Sequence, residues 1–465
     1  MPLILGTNSL KDTGFNVANS CRFNDGDSAH MHITRGSAGN QRTFTISMWI
    51  KRCELGSSNY FFTVGPDGDT NFVMYFDSND QLEVWEYKSS YQFRLKPKYK
   101  FRDIAAWYHL CVAFDTTQST STNRVKIYVN GTQLTDFDTS SYPSEDYDTL
   151  MNDDRKYWLG KYTSLSLYYD GYLAEVVVLD GTAASPTSFG EFDSDSPTIW
   201  KPIDVSGLTF GTNGFYLDFE DSSNLGNDAN GGTDWTAVNL AATDQSTDTC
   251  TNNFSTFNSL IPNTTIIYQE GNLKVNQASN SDYTTAWSTI AVSRAKWYAE
   301  FKAVSGFDNI AKAIGFLDVD AAYDNDGHIE AYSNGGAYGA NGRVVQNGSG
   351  ATSYTTYTNG DIIGIALDLD NGKVYYHKNG TYINSGVPTS GSTGTGAFTV
   401  NTGKSYIFSA VIINFGGSNI WEANFGSPSF AISSGNSDGN GYGNMEYSVP
   451  SGYYTLCTKN LAEYG

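Results

Sequence analysis

The chain has 465 residues, of which 14% are aromatic, 17% are charged and 47 are glycine, and its net charge at pH 7 is −21. This length predicts two or three domains of roughly 100–200 residues each. The negative charge argues against non-specific binding to nucleic acids, because contacts to phosphates need basic surface. No apolar run approaches the ~20 residues of a membrane-spanning helix, and the start of the chain lacks a basic region, so we expect no signal peptide.

Alternating apolar residues and turn signals divide the N-terminal half into short strands. Phe44 to Lys51 alternates apolar and polar side chains, and the stretches Trp107 to Asp115 and Arg124 to Val129 predict a hairpin with its turn at Asn130-Gly131. Tyr157 to Gly160 and Gly171 to Leu179 follow. Regular spacing of short strands and turns is typical of a β-sandwich.

One basic run stands out within this acidic chain. It comprises Arg94, Lys96, Lys98, Lys100 and Arg102, which alternate with Phe93, Leu95, Pro97, Tyr99 and Phe101. On one strand all five cations would share a face. Two interpretations remain open: a charged, proline-marked edge strand that discourages aggregation, or a partner-binding surface for an acidic subunit or an anionic host glycan, in which Tyr99 would take part.

Aromatic and histidine side chains supply further candidates. Trp85, Tyr87 and Tyr442 are candidate sugar-binding platforms, although aromatic residues more often pack in a core. His30 and His32 share a strand face, but no third metal ligand lies near them in sequence. The five cysteines (Cys21, Cys53, Cys111, Cys250 and Cys457) include no CxxC pair, so we expect free thiols in a reducing cytoplasm.

Residues 191–262 are polar but contain many aromatic residues. A flexible linker rarely contains so many aromatic side chains. We therefore predict an ordered strap that packs on one or both sandwiches. Its aromatic residues are Trp200, Phe210, Phe215, Tyr216, Phe219 and Trp235.

The C-terminal half repeats the hairpin pattern. Ile363, Ile365, Leu367 and Leu369 alternate before a turn at Asp370-Asn371-Gly372, and a second strand from Lys373 to Lys378 follows. Ser385 to Gly403 and Ser433 to Asn444 are rich in small polar residues and predict surface loops.

The acidic stretch around Asp318, Asp320, Asp324 and Asp326 is a candidate Ca²⁺ site, since a hard cation needs several oxygen ligands close together; a solvated acidic loop is the alternative. We expect no other cofactor. The chain has no GxSxG or Walker motif, and the paired carboxylates of a glycosidase are not marked by an ExDxxE pattern. These absences favour a protein that is not an enzyme.

The order of parts in the first half resembles a known domain. FTISMWIKR, WYHLCVAFD, KIYVNGTQL, WLGKY and DGYLAEVVVLDG together resemble a LamG-type, concanavalin A-like domain. The continuation from SPTSFGEFDSDSPTIWKPIDVSGL to NLAATDQSTDTCTNNFSTFN is similar to a cassette of tailed-phage virion proteins, especially marine ones. Cys250 departs from it, because the cassette commonly has proline there.

The second half resembles a SPRY domain, a bent β-sandwich that binds proteins. The resemblance rests on AKWYAEF, AIGFLDVD, GDIIGIALDLDNGKVYYHKNG, YIFSAVIINF and WEANFG, and the end, GYYTLCTKNLAEYG, is similar to the tail of the same phage proteins. We therefore expect an all-β chain of two antiparallel sandwiches: a LamG-like jelly roll at 1–190, the strap at 191–262, a SPRY-like sandwich at 263–432, and a surface loop with a closing strand at 433–465.

The resemblance implies a non-enzymatic structural protein of the phage virion, assembled in the host cytoplasm as a tail fibre, head fibre or decoration protein. Its expected partners are other virion proteins, with host-surface glycan as a further one, and we expect a homo-oligomer such as a trimer. The alternatives are a lectin-like adhesin that binds host glycans as its main role and, less favoured by the motifs, a glycan-cleaving enzyme.

Overall fold

The computed structural model describes residues 12–261, 265–277, 283–307, 312–320, 334–413 and 419–465. Within these ranges the chain forms two units, Thr13–Thr251 and Asn252–Gly465. Antiparallel sheets build both units, so the all-β prediction is confirmed. No helix of the described residues has the length and apolar character that a membrane span needs.

The N-terminal unit contains eighteen strands in its described residues. In chain order they are β1 (Ser20–Phe23), β2 (His30–Thr34), β3 (Thr43–Arg52), β4 (Asn59–Asp67), β5 (Thr70–Phe76), β6 (Leu82–Lys88), β7 (Tyr91–Pro97), β8 (Tyr108–Asp115), β9 (Val125–Val129), β10 (Thr132–Gln133), β11 (Phe137–Ser141), β12 (Lys156–Leu159), β13 (Gly171–Asp180), β14 (Gly190–Phe192), β15 (Trp200–Pro202), β16 (Phe215–Leu217), β17 (Thr236–Val238) and β18 (Gln245–Ser246).

Two eight-stranded sheets face each other in this unit. Sheet A has the order β10-β9-β8-β3-β13-β1-β18, with β16 also paired to β13, and sheet B has the order β11-β7-β6-β5-β4-β12-β2-β17. Alternate residues of both sheets point inward, as period-two patterns require. The shared core includes Phe44, Ile46 and Met48 of sheet A and Phe72, Met74 and Val84 of sheet B.

The strap is ordered, and it does more than pack against a finished sandwich. Its segments β16 and β18 extend sheet A, and β17 adds the last strand of sheet B beside β2. Phe215, Phe219 and Trp235 enter the main core. These added strands cover sheet edges that would otherwise expose unpaired backbone groups.

The outer face of sheet A is also buried. Trp200 packs with Trp49, Trp107 and Tyr172, and residues Phe189, Val205, Phe210 and Tyr216 pack on Cys111, Val177 and Leu179. The chain that follows β13 therefore covers this face of the sandwich with its own apolar side chains.

The C-terminal unit has fourteen strands and one short helix in its described residues. They are β19 (Ile266–Gln269), β20 (Lys274–Gln277), β21 (Thr284–Val292), β22 (Lys296–Ser305), β23 (Ala313–Asp318), β24 (Gly335–Gly339), β25 (Arg343–Gln346), β26 (Ser349–Ser353), β27 (Ile362–Asp368), β28 (Lys373–Lys378), β29 (Thr381–Tyr382), β30 (Phe398–Thr399), β31 (Tyr406–Ile412), β32 (Ile420–Asn424) and α1 (Thr458–Tyr464).

These strands form a second sandwich. One sheet has the order β19-β20-β32-β22-β27-β28-β29, with β30 on β28, and the other has the order β21-β31-β23-β24-β25-β26. The predicted hairpin is confirmed as β27 and β28, with Ile363, Ile365 and Leu367 in the core. Short 3₁₀ helices lie in the connections of the two units, at Asp25–Asp27, Ser121–Asn123, Pro186–Ser188, Ala242–Asp244, Ile383–Ser385 and Pro388–Thr393.

A buried carboxylate fixes the C-terminal segment onto the outer face of β22. Glu300 is fully buried and accepts hydrogen bonds from the backbone N–H groups of Glu446 (2.9 Å) and Tyr447 (2.8 Å). Tyr298 Oη also donates to Glu300, at 2.9 Å. Because Gly380 N–H donates to His377 Nδ1, Nε2 carries the His377 proton and donates to Tyr298 Oη at 2.6 Å. The network therefore runs from a hairpin turn to the C-terminal segment.

This carboxylate should give the C-terminal unit an unusual pH dependence. Burial raises the pKa of Glu300 from 4.5 to about 6, against the lowering effect of its backbone donors. The folded protein therefore takes up the proton first as the pH falls, so the stability due to this group rises by about 1 kcal/mol between pH 6 and 4.5 and is lost as the pH rises again. Urea unfolding across this range should show a flatter profile for Glu300→Gln.

The quantity that tests this prediction is the slope of unfolding free energy against pH, not the absolute stability of the variant. Glu446 N–H and Tyr447 N–H donate to different oxygens of Glu300, so the NH2 group of Gln would face one of these two donors and the variant should be less stable at every pH. An unchanged slope between the wild type and Glu300→Gln would contradict the assignment.

The predicted loop Ser433–Asn444 is organised around one buried aspartate. Asp438 Oδ2 accepts hydrogen bonds from Thr455 N–H (3.0 Å), Thr455 Oγ1 (2.9 Å) and Asn460 Nδ2 (2.7 Å). Asp438 Oδ1 accepts two more from backbone N–H groups of the loop itself, at Asn440 and Tyr442. The loop is therefore fixed to the C-terminal segment by charge-assisted hydrogen bonds.

Candidate functional site

A serine–histidine pair lies on the outer face of sheet A. Ser47 Oγ and His109 Nε2 are 2.9 Å apart, and Trp200 Nε1 donates to His109 Nδ1 at 3.1 Å. An indole N–H can only donate, so Nδ1 accepts and the proton resides on Nε2, which donates to Ser47. This polarity is the reverse of what a general base for Ser47 would need.

The surroundings of this pair are equally unsuited to catalysis. His109 is 1% exposed and Ser47 is 2% exposed beneath the strap. Burial lowers the pKa of His109 to about 3, so the ring stays neutral. The nearby Glu175 is bound instead by Tyr216 Oη, at 2.7 Å. The pair therefore joins the strap to the sheet.

The outer face of sheet B is different, because partly exposed aromatic side chains cross it. We call this the aromatic face and define it by Tyr60, Tyr75, Trp85, Tyr87, Tyr91 and Trp158, which are half-buried except for Tyr91, at 49% exposed. Tyr60 and Tyr75 stack in parallel, with centroids 4.6 Å apart. Tyr91 meets Trp85 and Tyr87 edge-on at 5.7 and 5.3 Å.

Strand register places these rings in order across the sheet. One cross-strand row contains Thr236, His32, Trp158, Thr63, Val73, Trp85 and Arg94. Trp158 and Trp85 are three strands apart, which corresponds to about 14 Å. Small side chains, Thr63 and Val73, separate the two indoles. Thr63 and Val73 are fully buried, so the face has two partly exposed aromatic platforms with covered residues between them.

The predicted basic run occupies the neighbouring part of sheet B, but not as one strand. The strand β7 ends at Pro97, so the prediction that all five cations share a strand face is wrong for Lys98, Lys100 and Arg102. β7 is not an edge strand either, because β11 pairs with it from Pro97 to Arg94. Proline cannot donate to a sheet ladder, which explains why the strand ends there.

Carboxylates neutralise most of the basic run. Arg94 bonds to Glu83 and Lys96 to Asp77, Lys98 Nζ lies 2.8 Å from Asp136, and Arg102 Nε lies 3.0 Å from Asp80. Lys100 has no carboxylate partner within the described part of the chain. Tyr99 is 41% exposed and packs edge-on against Phe101. As a partner-binding surface this set stays a prediction, and its charges already have partners inside the domain.

A second group of cations, which the sequence did not single out, lies at the other end of the aromatic face. Lys156 Nζ is 3.9 Å and Lys161 Nζ is 4.8 Å from the centroid of Trp158. His30 and His32 lie on the adjacent strand, with ring centroids 5.6 and 5.2 Å from that of Trp158. We call this group, together with Tyr168 above Lys161, the Trp158 patch.

The Trp158 patch is positively charged and lacks counter-charges. Neither Lys156 nor Lys161 forms an ion pair with any residue that the structure describes. Burial, and then the mutual repulsion with Lys161, lowers the pKa of Lys156. Burial and the same two lysines lower the pKa values of His30 and His32. Such a potential disfavours a metal cation on the two histidines and favours an anion.

The remaining predicted sites are not brought together. Tyr442 belongs to the C-terminal unit, where Lys459 Nζ lies 5.7 Å from its ring. Asp318 is bound by Lys404 Nζ at 3.0 Å and accepts the backbone N–H of Asp320 at 3.2 Å. Asp324 and Asp326 lie outside the described residues. Within the described ranges no group of three metal-ligating side chains occurs, and the Ca²⁺ site stays a prediction.

The family comparison agrees with the architecture of the N-terminal unit. Residues 25–187 match the family model Laminin_G_3, described as the concanavalin A-like lectin/glucanases superfamily. These residues form a concanavalin A-like domain. The resemblance inferred from the sequence is confirmed to this extent. No curated protein matches the chain significantly.

The chain was also matched to solved structures at low sequence identity. The SPRY domain of human HERC1 is 15% identical, covers 36% of this chain and 96% of its own, and has a TM-score of 0.29. Mouse laminin alpha1 domains LG4-5 are 11% identical and cover 85% of this chain and 83% of their own, with a TM-score of 0.29. Domain 4 of AbnA, an arabinanase of Geobacillus stearothermophilus solved with arabinotriose, is 17% identical. It covers 33% of this chain and 67% of its own, with a TM-score of 0.26.

The aromatic face and the Trp158 patch both lie within the concanavalin A-like domain. Trp85 and Tyr87, which the sequence singled out, are two members of the face. The sequence signal for the patch is the alternation in Lys156-Tyr157-Trp158-Leu159, where Tyr157 and Leu159 are buried in the core. It was missed because the pairing of β12 with β2, which adds the histidines, joins segments distant in sequence.

Proposed function

We propose that the protein is a non-enzymatic carbohydrate-binding protein whose binding surface is the aromatic face of the concanavalin A-like domain. The observation that carries the proposal is the set of partly exposed rings across sheet B, with Trp85 and Trp158 on one cross-strand row and the buried residues Thr63 and Val73 between them. Rings with one exposed face and polar neighbours are suited to the apolar faces and hydroxyl groups of sugars.

Two further features support this choice of surface. The outer face of sheet A is covered by the strap, so of the two large sheets of this unit sheet B carries the partly exposed aromatic rings. The matched family is described by its lectins and glucanases. Rigid strands hold the rings in place before binding, so little conformational entropy is lost when a ligand is bound.

Binding of the full chain to a broad glycan array tests the proposal, and no binding on the array would contradict it. For a ligand found there, Trp85→Ala should weaken binding by about tenfold or more, because central aromatic residues dominate the energy of such contacts. Isothermal titration calorimetry would measure the loss.

The matched control for Trp85→Ala is Phe192→Ala. Phe192 is an aromatic residue of the same unit, 45% exposed, on β14 and away from the aromatic face. Its removal should leave the affinity unchanged. Equal losses in both variants would show that the aromatic face is not the binding surface.

A virion structural role is the second candidate, and it is compatible with sugar binding. The cassette that resembles tailed-phage virion proteins supplies β16, β17 and β18 and covers sheet A, so it is an integral part of the N-terminal unit. In this proposal the protein is a tail-fibre, head-fibre or decoration component, homo-oligomeric, that contacts other virion proteins. Imaging of a phage particle with this chain located would test it.

The proposal includes no catalytic activity and no cofactor. It is supported by the reversed polarity of the Ser47–His109 pair and by its burial beneath Trp200. Incubation of the full chain with any glycan that it binds should leave the length of the saccharide unchanged. Released reducing ends would restore the glycan-cleaving alternative.

A further inference from the structure

The Trp158 patch has a chemical character that the rest of the aromatic face lacks. Lys156 and Lys161 both place their ammonium groups within 5 Å of the Trp158 ring centroid, and His30 and His32 lie beside the same ring. At the far end of the row, Arg94 is held by Glu83. On this face, the lysines without an ion-pair partner among the described residues are therefore concentrated around Trp158.

We propose that the Trp158 patch binds the anionic group of an acidic saccharide, with a sulfate or carboxylate held between Lys156 and Lys161 beside the Trp158 ring. This inference rests on the proposed function and deepens it by naming the ligand class. The lysines supply charge-assisted hydrogen bonds to the anion, and His32 supplies a further polar contact on the same cross-strand row.

Electrostatic repulsion within the ligand-free patch also favours the binding of an anion. Two ammonium groups around one indole repel each other, and the described residues provide no carboxylate to relieve this repulsion. Their contacts with the ring offset part of the cost, and a bound anion would offset more. The net charge of −21 opposes general attraction of polyanions, so binding of an acidic glycan would depend on this local patch.

The position of the patch favours a saccharide over other anionic ligands. Trp158 lies on the cross-strand row that continues through Thr63 and Val73 to Trp85. Thr63 and Val73 are buried, so a linear glycan anchored by its acidic group beside Trp158 would extend over the side chains that cover them toward Trp85. Charge fixes one end of the ligand, and the partly exposed rings near Trp85 contact the uncharged units.

The test uses the full chain and two polymers of equal length, dextran sulfate and neutral dextran, in affinity gel electrophoresis. Dextran sulfate should bind, and Lys156→Gln with Lys161→Gln should weaken its binding at least about tenfold, since each lost charge-assisted contact carries a large share of the affinity. Thermal unfolding of this double variant should match the wild type, because both side chains lack ion pairs with the described residues.

The matched control is Lys98→Gln with Lys100→Gln, two lysines of the same unit in the predicted basic run. Lys98 already pairs with Asp136 at 2.8 Å, so this control should bind dextran sulfate as the wild type does. If the control variant loses binding and the Lys156/Lys161 variant keeps it, the basic run is the anionic site and the inference is overturned.

Two other outcomes separate this inference from the proposed function. If a neutral glycan from the array binds and is lost with Trp85→Ala, while dextran sulfate does not bind, the inference fails and the proposed function stands. If single-stranded DNA of equal charge competes as well as dextran sulfate does, the patch attracts polyanions without contacting sugar, and the inference is again overturned.

Discussion

Replacement of Asp80 by asparagine is expected to lower the free energy of unfolding of the N-terminal unit by about 3 kcal/mol. The change removes the negative charge from a buried pair and leaves the Arg52 guanidinium without its carboxylate, which is strongly destabilising. Arg52 is fully buried, with Nη1 3.2 Å from Asp80 Oδ1, and it also stacks on Phe76 at 4.5 Å. Denaturant unfolding of the full chain, followed by fluorescence, would measure the loss.

Asparagine removes only the charge, because it has nearly the same shape as aspartate and adopts the same backbone conformation. Asp80 has a φ of 64°, in the left-handed region that asparagine adopts readily. Arg52 also donates to the carbonyl groups of Phe101 (2.7 Å) and Glu54 (2.9 Å), and these contacts remain in the variant. The loss therefore reports on the carboxylate.

The matched control is Asp136→Asn, which removes the partner of Lys98. That pair is exposed, with side-chain exposures of 53% and 75%, and exposed pairs contribute about 0–1 kcal/mol. Replacing Arg52 by methionine together with Asp80→Asn should recover part of the lost stability, because the buried charge is then gone. Equal effects of Asp80→Asn and Asp136→Asn would refute the large energy assigned to the buried Arg52–Asp80 pair.

Replacement of Trp421 by alanine should destabilise the C-terminal unit by about 3–5 kcal/mol, the usual cost of removing a large aromatic side chain from a core. Trp421 is fully buried on β32, and its ring lies 4.3 Å from that of Phe307 and 6.0 Å from that of Tyr357. Its indole N–H donates to the carbonyl of Val411 at 3.0 Å. The same denaturant experiment would measure the change.

Trp421→Phe is the matched variant for this position. Phenylalanine keeps an aromatic ring against Phe307 but removes the indole N–H and part of the volume, so the loss should be clearly smaller than for alanine. Val411 O also accepts from Asn419 Nδ2 at 3.2 Å, which keeps this carbonyl paired in the variant. A loss as large as that of Trp421→Ala would contradict the assignment of the energy to ring packing.

The sequence predicted the strands that have a clear period of two. Phe44, Ile46 and Met48 on β3 and Ile363, Ile365 and Leu367 on β27 alternate strictly. The hairpin of β27 and β28 closes at the predicted turn Asp370-Asn371-Gly372. Such segments fix their own local structure, because alternation decides which face is buried and the turn decides the pairing.

The basic run shows where the same logic fails. Its alternation continues past Pro97, and nothing in that stretch reveals that β7 ends there. The strand that covers the edge of β7, Phe137–Ser141, is mostly polar and gives no apolar alternation. Three of the carboxylates that neutralise the run, Asp77, Asp80 and Asp136, come from connections between strands whose approach depends on tertiary structure.

The Trp158 patch was beyond prediction for a related reason. Its lysines and Trp158 are close in sequence, but the histidines reach them through the pairing of β12 with β2, more than 120 positions apart in the chain. Its significance also depends on an absence of neighbouring carboxylates, which only the folded arrangement of the described residues reveals. Long-range register and local charge balance are tertiary properties that periodicity does not report.

The strap has a consequence for how this domain can be moved between proteins. The homologous region ends at 187, whereas the unit that buries Trp49, Trp107 and Tyr172 extends to Thr251. Exchange of residues 25–187 alone would expose a large apolar surface on sheet A. The unit that can be exchanged intact is therefore Thr13–Thr251. Recombination among such chains would therefore preserve the two parts together.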